Sequence, residues 1–76
     1  MTQRVFETSL RAFQIRQPFK PFIIELHSGG EILVPHTEAV VTQSGSAVHF
    51  APDGGITVFD ARSVNQLCDL KKRKTG

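Results

Sequence analysis

Two prolines three residues apart, Pro18 and Pro21, divide the chain into two parts with different hydrophobic periods, and no other feature constrains the fold as strongly. Proline fixes φ, removes a backbone donor and pushes the residue before it out of the α region. Ahead of the pair, Phe6, Leu10 and Phe13 recur at i, i+4 and i+7, with Val5 and Ala12 beside them and Arg4, Glu7, Arg11 and Gln14 elsewhere. This spacing predicts an amphipathic helix over about residues 3–16. Thr2 is its expected N-cap, and Gln17, held extended by Pro18, its expected stop. Pro18-Phe19-Lys20-Pro21 is then a stiff connector.

Beyond Pro21 the period becomes two. Phe22 to His27 is expected as a strand that turns at Ser28-Gly29-Gly30, with Glu31 to Pro35 as its hairpin partner. Ala39 to Gln43 and Ala47 to Ala51 follow around Ser44-Gly45-Ser46, with Val48 and Phe50 placed inward. Pro52-Asp53-Gly54-Gly55 is the strongest hairpin signal, because Asp-Gly readily takes the positive φ values of a type I′ turn. Ile56 to Asp60 is a fifth strand, with Ile56 and Val58 placed on the core face. After the corner Ala61-Arg62-Ser63, Val64 to Leu70 is a short last strand. Six short strands with tight turns suggest a meander that curls: a mainly β fold with one N-terminal helix covering an open end or face, the strands forming a small five- to six-stranded antiparallel barrel or roll.

With 76 residues, the expected organisation is one domain over 1–70 (barrel about 22–70) and a basic flexible tail over 71–76. A domain this short buries only ~60% of the surface its unfolded chain exposes, so its stability margin is thin. Cys68 is the lone cysteine, which excludes an intramolecular disulfide and suits a reducing cytoplasm. The start of the chain has charges on both sides of its first apolar pair and lacks a signal-peptide apolar core. No apolar run approaches the ~20 residues of a membrane span, so a soluble, cytoplasmic protein is expected.

The basic character belongs to the tail. Setting aside Lys71, Lys72, Arg73 and Lys74 leaves five Lys and Arg against seven Asp and Glu, a formal −2 over residues 1–70. A slightly acidic body gives little basis for the broad positive face of a dedicated nucleic-acid binder. The tail itself would reach at most about four phosphates, with a salt slope near ~3.6; a solubilising role is the plainer expectation.

His27, His36, His49 and Cys68 are zinc-type ligands, but none of their spacings brings two together locally, and surface histidines are expected instead. Ser63 or Cys68 with His36 or His49 would be a chance nucleophile–base pairing, and so short a chain has little wall for a substrate pocket of ~300 Å³. The glycine pairs Gly29-Gly30 and Gly54-Gly55 lack phosphate-loop spacing and precede strands, so they are turns. No enzyme activity, cofactor, metal or small-molecule substrate is expected.

Ile23, Leu33, Val41 and Phe59 fall opposite the assigned core positions, which leaves the sheet apolar on both sides in places. Phe19, between two prolines, joins Ile23, Leu33 and Phe59 as an expected contact surface. The expected function is a non-enzymatic interaction module that associates with itself or docks a protein partner.

Two resemblances add to this. The order of helix, five strands, corner and return, carried by 23–30 and 56–64, resembles the Sm-like (SH3-like) small barrels, among them the bacterial Sm-type RNA chaperones. That likeness implies a nucleic-acid-binding alternative through Arg62 and Lys71, Lys72, Arg73 and Lys74. His36-Thr37-Glu38 sets an imidazole and a carboxylate where Sm-type sites carry a stacking residue. Gln17-Pro18-Phe19-Lys20-Pro21-Phe22, with His36-x-Glu38 and Val40-Val41, resembles a group of short bacterial proteins of unknown function that share a QPFxPF element. Thr37 stands where that group tends to have proline, and the likeness implies no activity.

Overall fold

A computed structural model describes residues 1–70; the basic run 71–74 lies outside the described residues. Helix α1 spans Gln3–Gln14. The Thr2 hydroxyl caps it by accepting from the Val5 N–H at 3.2 Å, which satisfies one of the otherwise orphaned first-turn donors. The helix stops two residues short of the expected end, with Ile15 as C-cap. Arg16 then leaves the helical path: its guanidinium bonds Asp69 Oδ1 at 2.7 Å and the Lys20 carbonyl at 2.8 Å, bracing the proline connector.

The strands are β1 (Phe22–Leu26), β2 (Glu31–Val34), β3 (Val40–Gln43), β4 (Ser46–Phe50), β5 (Ile56–Asp60) and β6 (Val64–Asp69). They form two antiparallel three-stranded sheets, ordered β2-β1-β6 and β3-β4-β5. The chain is thus mainly β with one N-terminal helix, as its periodicity predicts, but the expected barrel is not closed. At both crossings between sheets a 3₁₀ turn interrupts the extended backbone, Thr37–Ala39 after β2 and Ala61–Ser63 after β5. Asp60 stabilises the second by accepting from the Arg62 and Ser63 N–H groups at 3.0 and 3.3 Å.

Among the described residues no ladder joins the sheets, and isolated bonds bridge them instead. His49 Nε2–H on β4 donates to the Leu33 carbonyl on β2 at 2.7 Å. The Ala61 N–H donates to the Gly45 carbonyl at 2.8 Å, tying the second 3₁₀ turn to the β3–β4 turn. Beneath these links, Phe6 and Leu10 of α1 pack with Phe22, Ile24, Val34 and Val64 from one sheet and Val40, Ala47 and Phe59 from the other. Phe6 and Phe59 meet edge to face, with centroids 6.0 Å apart at 69°, a favoured aromatic geometry.

The inward faces of β4 and β5 are the reverse of those expected. Ala47, His49 and Phe59 point into the core, while Phe50, Ile56 and Val58 are exposed and Val48 is half-buried. A shift of one residue in phase turns a whole strand over, and here both faces are apolar enough to be eligible. The helix decides, because Phe59 is the β5 side chain that reaches Phe6.

Turn chemistry differs as well. At 52–54 only Gly54 has positive φ, and its N–H donates to the Ala51 carbonyl at 3.0 Å, so the loop is a type I turn followed by a left-handed glycine. The turn with two positive φ values is Ser44-Gly45, at 54° and 85°. Two positive φ values make this two-residue connection a type I′ turn, whereas a three-residue loop needs only one.

Candidate protein interface

The antiparallel register assembles the outer face of the β3-β4-β5 sheet from residues alternating with the core set. Val41 lies opposite Val48, and Val48 opposite Val58, so one row of three valines crosses all three strands. In the next outward row Phe50 pairs with Ile56, and on the other side Gln43, Ser46 and Asp60 form a polar row. Val41 is 56% exposed, Val58 70%, Ile56 64% and Phe50 44%. These make up half of the large apolar side chains left exposed among the described residues, the rest being Val5 on α1, Ile15 at its C-cap, Leu33 on β2 and Leu70. Single exposed apolar residues are ordinary, but a contiguous set marks a contact surface.

The edges of this sheet share that character. β3 carries no charge and β5 only Asp60, whereas solvent-facing edge strands are commonly blunted with charges or proline. The other sheet is more polar: Glu31 on its edge strand β2 lies opposite Glu25 of the central strand, and Glu25 accepts from Gln66 Nε2 at 2.9 Å and from the Cys68 thiol at 3.7 Å.

Of the four contact residues expected from the sequence, only Leu33 is exposed; it sits on the other sheet, away from the valine row. Ile23 is 7% exposed because it lies on the central strand between Leu33 and Cys68. Phe59 belongs to the core, and Phe19 is half-buried with its ring 6.1 Å from Phe22 at a T-shaped angle. Alternation marks Val41 as off-phase, but it places Val48, Phe50, Ile56 and Val58 inward, whereas the structure puts them on this outer face. The signal for them is the three-residue loop 52–54, which pairs Phe50 with Ile56 and Val48 with Val58 and so ties the two strands to one face.

Arg62 projects from the second 3₁₀ turn with its side chain 89% exposed, 3.6 Å from Asp60 Oδ2. A shallow groove of about 450 Å³ beside it is lined by Thr2, Gln3, Ser44 and Asp60 among others. Lys71, Lys72, Arg73 and Lys74 lie outside the described residues. His27 and His36 are exposed, as expected, but His49 is not a surface histidine: it is buried, with Nε2 engaged by Leu33. Among the described residues no three His, Cys, Asp or Glu side chains gather in a way that could hold a metal ion. No helix among them is long and apolar enough to cross a membrane. No protein-family model matches the chain, and comparisons with curated proteins and with solved structures return no match.

Proposed function

We propose that this chain is a non-enzymatic interaction module that associates with itself through the outer face of β3-β4-β5. The observation that carries the proposal is the row Val41-Val48-Val58, flanked by Phe50 and Ile56. Removing such a face from water favours association by about 25 cal/mol for each Å² of apolar surface covered. A body with a thin core gains stability by the same act. Sedimentation velocity over a dilution series tests it. A mass that rises with concentration from the 8.4 kDa of one chain is expected, and a monomer at every concentration overturns self-association.

A second reading, an Sm-like nucleic-acid binder, draws support from the extended Arg62 guanidinium and from the passage of β5 through a 3₁₀ corner into β6, which pairs with β1. It predicts binding to single-stranded RNA that weakens steeply with salt and with removal of residues 71–76. Absence of binding at low salt with the tail present ends it. The lone Cys68 accords with work in a reducing compartment such as the cytoplasm.

A further inference from the structure

We infer that two copies of the chain pack these faces together about a two-fold axis running along β4. This rests on the self-association proposed above and adds its geometry. The apolar patch of Val41, Val48, Phe50, Ile56 and Val58 carries no charge, which favours an occupant that is itself apolar there, and a second copy of the chain presents the same uncharged rows. A stable interface takes roughly 800 Å² from each partner, about one sixth of the 5131 Å² accessible surface here. On a body of 30 × 25 × 24 Å that is nearly one whole side. A single edge-to-edge strand contact covers less, whereas two twisted sheets packed face to face cover the side.

The pattern on the face selects the axis. Because β4 is the central strand, rotation about it lays β3 of one copy over β5 of the other. Val41 then meets the partner copy's valine 58, while Val48 and Phe50 meet their own equivalents. The polar row falls on itself, with the Gln43 amide over the Asp60 position, where it can donate to a carboxylate. An axis laid across the strands between the two apolar rows carries Asp60 over the Asp53-Gly54 turn of the other copy. That arrangement brings two carboxylates together, which the interface would resist.

Sedimentation of the full chain and four variants tests the axis. Val48→Lys places two ammonium groups against each other on the axis and is expected to leave a monomer. Val41→Lys and Val58→Glu singly each weaken dimerisation by about tenfold or more. The double variant Val41→Lys/Val58→Glu brings Lys against Glu twice in each dimer and is expected to recover at least about tenfold of that loss. Such recovery cannot arise from misfolding, and far-ultraviolet circular dichroism on each variant checks the fold independently. If the wild type dimerises but the double variant is no tighter than Val41→Lys, the axis is wrong and self-association stands. A wild type that stays monomeric overturns both.

Discussion

His49 on β4 and Leu33 on β2 are joined by one hydrogen bond, Nε2–H to carbonyl at 2.7 Å, across the gap between the two sheets. β2 pairs only with β1, so the imidazole takes the place of a neighbouring strand on that edge. The bond is only part-buried, but the His49 ring is buried, and a buried ring nitrogen or its carbonyl left without a partner loses the bond and pays part of its desolvation penalty. His49→Leu, which retains bulk and loses the donor, is expected to lower stability by about 1–3 kcal/mol in urea unfolding. His49→Gln retains a donor and should recover part of that. Equal losses in the two variants would show that only volume matters at this position.

Gly45 is a second point where the halves depend on one residue. Its φ is 85°, its N–H donates to Glu7 Oε2 at 2.8 Å, and a Cβ there would stand 3.0 Å from Gln3 Cγ. Gly45→Ala combines backbone strain with a crowded flexible side chain and should cost about 1–2 kcal/mol. Adding Gln3→Ala relieves the crowding but not the φ, so thermal melts of the pair should recover only part of the loss. Full recovery would place the whole cost in the side-chain contact.

Val58 and Phe59 are adjacent in sequence and opposite in consequence. Phe59→Ala removes the ring that packs on Phe6 and is expected to cost about 3–5 kcal/mol, enough to unfold a large share of so small a domain. Val58→Ala, on the 70% exposed side chain, should stay within about 0.5 kcal/mol when measured at concentrations that leave the chain monomeric. A reversed order in chemical denaturation would restore the inward assignment of Ile56 and Val58.

Arg16 and Asp69 form a 2.7 Å ion pair with both side chains partly exposed. Such pairs contribute little and are screened by salt. Asp69→Asn should therefore lower stability by less than about 1 kcal/mol, and by less still in 1 M salt. Arg16→Ala should cost more, about 1–2 kcal/mol, because the guanidinium also lies 4.6 Å over the Phe13 ring and holds the Lys20 carbonyl. Equal effects of the two changes in a melt would reduce Arg16 to its charge alone.

The expected elements and the folded ones agree closely because their causes are local. Thr2 caps the helix and glycine-bearing turns separate runs of period two, with Ile56–Asp60 matching to the residue, although the helix ends at Gln14, ahead of the stop that Pro18 would impose at Gln17. Each of these rests on φ preferences and hydrogen bonds within a few residues. The outward apolar face of β3-β4-β5 was not legible in the same way. On β4 the more apolar alternation, Val48 and Phe50, points outward, while Ala47 and the polar His49 are buried.

Sequence alone therefore determined which segments are helix and strand and that apolar residues would lie on both sides of a sheet. Tertiary structure decided which side the helix covers, how the strands divide into two sheets, and that His49 bridges them. Alternation states only that neighbours face opposite ways. The inward choice needs a distant contact, Phe6 on Phe59, and the side it leaves uncovered is the valine row.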